Sequence, residues 1–267
     1  MYERLVLVRL EPKRLLDVGC GEGADLDMLQ KQYGNAHVIG VDASLAMLTA
    51  TRGGKNGQTI VDRLLTKWIP GKTQKEAEGP SLLCADFAQL PFGDMAVDLI
   101  WSNLALHWHP EPARVFKEWR RVINIDGLLM FSCLGPDTFK EVREAFSVVD
   151  GDAHALSFVD MHEFGDMMVT AAFSAPVMDM ETLTVTYDTV DKLMADVRAY
   201  GGNPLTTRRR GLLGRQAWGR VREALEAMRR PEDGKIPLTV EIIYGHAFRP
   251  PNYTMTDIIR KKESEKA

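Results

Sequence analysis

The chain has 267 residues, 45% of them apolar and 26% charged, with a formal net charge of −4. That is ample apolar material for one large α/β domain with insertions, and the acidic balance argues against general affinity for nucleic-acid phosphates. There is no run of about 18 apolar residues and no basic-then-apolar leader, so neither a membrane span nor a signal peptide is expected, and the cytoplasm is the expected location.

Strands are expected at about 13–18, 37–42, 81–85, 97–102 and 127–134, alternating with helices at about 24–33, 44–52, 112–123 and 137–146, the rhythm of a doubly wound parallel sheet. The stretch Gly53–Pro80 reads as a polar surface insertion with one amphipathic segment, Ile60–Trp68. From Phe158 onward the pattern predicts a helix over Met161–Phe173 and an alternating strand over Val177–Tyr187. Helices near Val190–Tyr200 and Gln216–Arg229 and a last strand over Leu238–Ala247 follow. The expected organisation is one domain over residues 1–249, with the 53–80 surface insertion and substrate-side helical insertions within 146–230, then a tail over 250–267 that is disordered at its end. Cys20, Cys84 and Cys133 have neither disulfide nor metal spacing, which suits a reducing compartment.

The most informative stretch is Leu15-Leu16-Asp17-Val18-Gly19-Cys20-Gly21-Glu22-Gly23, an apolar strand running into a turn of alternate glycines. Such a turn lets backbone approach a ligand closely and is expected to present free N–H groups at the start of the next helix. Gly19 to Ala24 also fit a dinucleotide fingerprint, so the glycines alone do not decide. Asp17 does help: a carboxylate two residues before the first glycine opposes a pyrophosphate, but suits the ammonium and sulfonium of S-adenosylmethionine (SAM). Asp42, ending the second strand, suits both hydroxyls of a ribose, a device that NAD enzymes share. Asp86, after the third strand, suits an adenine amino group.

The fourth strand exits through Ser102-Asn103-Leu104-Ala105-Leu106-His107-Trp108-His109, where it should line the gap between cofactor and acceptor. Enzymes that methylate amino groups of nucleic acids typically carry Asn or Asp, two prolines and an aromatic residue there, unlike Asn103-Leu104-Ala105. His107 and His109 have no Cys, Asp or third His at ligand spacing, so no metal is expected. Trp108 is either a wall of the acceptor pocket or core. Between Arg198 and Arg230 stand nine arginines against only Glu223 and Glu226. They form either a solvated helix face or a set of guanidinium forks for carboxylate and phosphate.

Leu15–Gly23, Asp42–Met47, Ser102–Trp108, Met130–Leu134 with Gly135-Pro136-Asp137-Thr138, Asp160-Met161-His162, Met178–Glu181, Arg208-Arg209-Arg210-Gly211-Leu212 and Tyr244–Ala247 together resemble the malonyl-acyl-carrier-protein O-methyltransferases of biotin synthesis. The resemblance runs from about Leu15 to Pro250, and the glycine motif is common to class I methyltransferases. It implies a Rossmann-like class I fold with a mostly parallel seven-stranded sheet. It further implies that SAM methylates the free carboxylate of a malonyl group carried on the phosphopantetheine of acyl carrier protein, without nucleic-acid or membrane partners. A cofactor site is then expected at Asp17, Gly19, Cys20, Gly21, Gly23, Asp42, Ala43, Met47, Asp86, Phe87, Asn103 and Leu104. Substrate contacts are expected at His107, Trp108, Arg208, Arg209 and Arg210, with Arg215, Arg220 and Arg222 on the carrier-docking face. In the family a few tens of residues precede the glycine motif and fold as helices over the cofactor. Here Met1–Pro12 precede the first strand with Tyr2 their one aromatic residue, so either the start lies further upstream or the site is more open. Rival readings are a SAM-binding relative of the arginine hydroxylase that assists respiratory complex I assembly, a noncatalytic SAM-binding module and, last, an NAD oxidoreductase.

Overall fold

Leu15, Leu16 and Val18 of β1 (Arg14–Val18) are fully buried, so both faces of the strand are covered, as a central strand of a parallel sheet requires. The computed structural model describes residues 1–53, 79–149, 157–200 and 214–251. β1 pairs in parallel with β2 (His37–Asp42) and β4 (Val97–Ser102). β3 (Ser81–Cys84) lies outside β2, and β5 (Ile123–Leu134) beyond β4, both also parallel. β7 (Ile236–Phe248), antiparallel to β5, and β6 (Ser174–Tyr187), antiparallel to β7, complete a seven-stranded sheet in the order β3-β2-β1-β4-β5-β7-β6 in which β7 alone is reversed. The chain thus reverses direction across the sheet at β1, where the strands on either side lead to opposite edges. That reversal opens a crevice at the carboxyl ends of the strands, the place where such sheets bind ligands.

Alternation along the strands sorts the core. Leu15, Val38, Leu99, Trp101, Leu128 and Met130 face α2 (Leu26–Gln32) and a short helix, α1 (Tyr2–Leu5), whose Leu5 is fully buried. Leu16, Val18, Val41, Ile100, Leu129 and Phe131 face α4 (Pro112–Val122) and α6 (Met161–Thr170). There Phe116 meets Trp119, Phe131 and Phe164 edge-on, with centroids 5.4–6.2 Å apart, a favourable arrangement for aromatic rings. A third cluster joins α5 (Lys140–Ser147), α7 (Val190–Ala199) and α8 (Arg215–Ala227) to the end of β5 and the first half of β7. α3 (Leu45–Gly53) follows β2.

Elements match the expected order with shifted ends. β5 begins at Ile123 rather than 127, because α4 passes directly into it. α5 starts at Lys140 rather than 137: Gly135–Phe139 first makes a turn, with Phe139 in the left-handed region at φ 61. α1 was not expected, its four residues being too few to show a period. The amphipathic segment Ile60–Trp68 and the tail beyond Pro251 lie outside the described residues.

Arg249, just past β7, is 7% exposed and ties the last strand to the end of α4. Its Nη1 donates to the carbonyls of Arg120, Arg121 and Ile123 at 2.9, 3.1 and 2.5 Å, satisfying acceptors that a helix end leaves open. Arg249→Met strips those carbonyls of their donor. It should lower the unfolding free energy by about 2–4 kcal/mol, read as a shift in urea midpoint at unchanged slope.

Candidate cofactor site

Asp17 lies on the same face of β1 as Leu15, at the crest of the sheet, and is 2% exposed. Its Oδ2 is buried with no hydrogen-bond partner. Burial pushes the carboxyl well above the usual carboxylate range, and the charges of Asp25 and then Asp42 push it the same way. A carboxyl whose ionised form is this disfavoured, with two other acids beside it, gains most from a cation.

The glycine turn corrects one expectation. Four of its N–H groups are not free for a ligand: Gly19 and Cys20 donate to the Val41 carbonyl at 2.7 and 3.1 Å, Gly23 to the Cys20 carbonyl at 2.8 Å, and Gly21 to Asp42 Oδ2 at 2.9 Å. Four of the turn's donors are thus spent on β2 and on the turn itself. What glycine supplies here is approach and conformation. At Gly19, φ is +77 and a Cβ would lie 2.2 Å from that of Ala105, so only glycine lets the turn close on the exit of β4. At Gly21, φ is +53 and a Cβ would meet nothing within 4 Å, so this residue faces open space. Cys20 contributes backbone only, because its side chain is buried and its sulfur sits 3.0 Å from where a Cβ on Gly40 would be.

Asp42, at the end of β2, accepts from Gly21 N–H through Oδ2 and from Ser44 N–H through Oδ1 at 2.7 Å. Each carboxylate oxygen can accept again, so the residue is fixed in place with capacity left for hydroxyl donors. Ala43 is exposed beside it, and Met47 on α3 is 45% exposed despite its apolar side chain. Past β3, Asp86 is exposed and accepts from Ala88 N–H at 2.8 Å. Phe87 follows, its ring against His109 and Trp119 and its carbonyl taking the Trp119 indole N–H at 3.1 Å.

At the exit of β4 the structure brings in residues that the sequence did not point to. Asp25, at the start of α2, accepts the Trp101 indole N–H and the Asn103 amide through Oδ2, both at 2.8 Å. Asn103 Oδ1 accepts the Ser132 hydroxyl at 2.6 Å. Leu104 is 36% exposed at φ +51. The one signal in the sequence is an acid just before a short helix, which reads equally well as ordinary capping. Leu106–Trp108 form a single 3-10 turn. Trp108 is 40% exposed, which removes the core reading. His107 is half-buried against Phe158 and Trp108, its Nδ1 lacks a partner, and burial lowers its pKa to about 4.

With this geometry in view, a methyltransferase-domain family model matches residues 16–131. The malonyl-[acyl-carrier protein] O-methyltransferase of Laribacter hongkongensis is 44% identical over 251 residues, covering 94% of this chain and 80% of that protein. The protein of the same name from Legionella pneumophila is 37% identical, covering 93% and 81%. The chain belongs to the malonyl-[acyl-carrier protein] O-methyltransferase family. Among solved structures, the YcgJ protein of Bacillus subtilis matches with a TM-score of 0.60 at 16% identity, covering 94% of this chain and 100% of that one. An arsenic(III) S-adenosylmethionine methyltransferase from Chlamydomonas reinhardtii matches at 0.51 and 18%, covering 90% and 65%. Both carry the same class I methyltransferase fold.

For a member of this family, the arginine-rich region divides. Arg208, Arg209 and Arg210 lie outside the described residues. Arg222 was expected on a docking face but grips Asp191 of α7 with both terminal nitrogens, at 2.6 and 3.2 Å, because α7 and α8 pack side by side. Arg229 is held by Glu226 and two carbonyls, and Arg230 by Glu232 and Asp233. Arg215 and Arg220 are exposed on α8.

The free protein bears the cost of Asp17. Its folded-state pKa stands above the unfolded one, so the folded chain holds the extra proton between those values, and stability falls as pH rises through that window. Asp17→Asn should raise the melting temperature of the free protein at neutral pH and flatten that pH dependence, while weakening SAM binding by roughly 10- to 100-fold. Urea titrations across pH and isothermal titration calorimetry check the two halves. Gly19→Ala should abolish measurable SAM binding by forcing the β4 exit outward, with secondary structure by circular dichroism retained.

Proposed function

We infer that this protein transfers the methyl group of SAM to the free carboxylate of malonyl-acyl carrier protein, giving the methyl ester that primes pimelate synthesis for biotin. The observation that carries the cofactor is the unpartnered, buried Asp17 oxygen beside a glycine turn that closes on the exit of β4. The acceptor follows from family membership, with relatives so named at 44% identity over nearly the whole chain.

SAM supplies an electrophilic methyl group on a sulfonium. Asp17 faces its positive end, Asp42 takes the ribose hydroxyls, and Asp86 with Phe87 and Met47 borders the base, in the arrangement we propose. The acceptor needs little chemical help. A malonyl carboxylate has a pKa of roughly 3–4 and is already ionised, so no general base is required. The chain's part is to hold oxygen, methyl carbon and sulfur in line and to exclude water. Asn103, Leu104, His107 and Trp108 border the gap where that alignment is set. His107, lowered to about 4 by burial, stays neutral at physiological pH and neither attracts nor repels by charge. We assign Arg208, Arg209 and Arg210 to the malonyl and phosphopantetheine anions, and Arg215 and Arg220 to steering the acidic carrier protein. Residues 1–249 are proposed to act as one domain with the 146–230 region on the substrate side. No helix among the described residues is long and apolar enough to cross a membrane, and we place the reaction in the cytoplasm.

Incubation with SAM and malonyl-acyl carrier protein should add one methyl group to the carrier-bound malonyl by mass spectrometry. Absence of that gain, with the carrier intact, would overturn the reading. The rate at saturating substrates should be flat between about pH 6 and pH 8; a limb with a midpoint in that range would reveal a base that this account lacks.

A further inference from the structure

Asp25 stands at the entry to α2, where an aspartate ordinarily accepts from the second or third amide of its own helix. It makes no such bond. Its Oδ2 reaches instead to the end of β4 and takes the Trp101 indole and the Asn103 amide, donors 76 and 78 residues away in sequence. Oδ1 has no donor among the described residues.

The bonds that follow are fixed in direction. A carboxylate only accepts, so Asn103 turns its NH2 to Asp25 and its oxygen to the Ser132 hydroxyl. Ser132 Oγ in turn accepts the Leu104 N–H at 3.0 Å, which the Ser132 carbonyl also takes at 3.0 Å, so the side-chain bond adds to a backbone bond. Together they hold Leu104 at φ +51, a conformation that a residue with a side chain rarely adopts. One carboxylate thus ties α2, β4 and β5 together where the gap between cofactor and acceptor opens. The same group stands near Asp17, whose Oδ2 is buried and unpartnered.

We propose that Asp25 is a positioning residue of the methyl transfer: it fixes Asn103 and Leu104 as the wall of the gap and adds a second negative charge facing the cofactor's cationic end. This rests on the SAM-dependent reading above. The two roles separate by substitution. Asp25→Asn keeps an acceptor oxygen for both donors and loses the charge, whereas Asp25→Ala loses both.

At saturating SAM, Asp25→Ala should lower kcat by more than tenfold, and Asp25→Asn should restore it to within about threefold of wild type. Both variants should raise the Kd for SAM roughly tenfold, an effect weakened by added salt. In amide-region NMR spectra the Trp101 indole resonance should shift upfield in Asp25→Ala and hold its place in Asp25→Asn. Equal kcat in wild type and Asp25→Ala, or a Kd for SAM unchanged in Asp25→Asn, would overturn the proposal. The urea midpoint of each variant separates loss of folding from loss of positioning. If wild type itself neither binds SAM nor methylates the carrier, the functional reading has failed instead.

Discussion

A carboxylate held dry and unpaired at the crest of β1 is the constraint around which this protein is arranged. Buried charges are ordinarily paired or neutralised, since an isolated ion in a low-dielectric interior is costly. Asp17 has no partner for its Oδ2 within the chain, and burial with the charges of Asp25 and Asp42 drives it toward the protonated form. The arrangement makes sense as half of an interaction. In the arrangement proposed above, a cofactor bringing a sulfonium and an ammonium completes it, and free energy withheld from folding is released on binding. An anionic pyrophosphate would compound the strain on Asp17.

The rest of the fold keeps that crest rigid. Two helix layers cover β1 and β4, so Trp101 and Leu15 seal one side while Leu16 and Phe131 anchor the other. Trp119 extends this to the third strand's exit, because its indole holds the Phe87 carbonyl while its ring lies in the aromatic cluster of α4. The antiparallel pair does different work. β6 and β7, at 14 and 13 residues, outlast β1 to β4 at four to six and, with the end of β5, carry α5, α7 and α8 as a separate core. Within that extension two buried glutamates secure the turn after β5. Glu241 accepts from Asp137 N–H, and Glu141 from Thr239 N–H. The turn Gly135–Thr138, singled out by its sequence, is thus fixed from the β7 side.

The residue pattern by itself determined the order of strands and helices, the three acids at strand ends and the glycine turn. Periodicity and glycine are local signals, and parallel strands place their carboxyl ends together whatever fills the core. Local pattern could not say which way the turn's amides point, because their acceptors are Val41 and Asp42, about twenty residues on in another strand. Nor could it show that Asp25 serves Trp101 and Asn103 rather than its own helix, that Arg222 is taken by Asp191, or that Trp108 is exposed. In each case an isolated side chain had two chemically reasonable partners, one near in sequence and one far. Only the packing of α2 on β4 and of α8 on α7 brought the far one within hydrogen-bond distance, and that choice belongs to the tertiary structure.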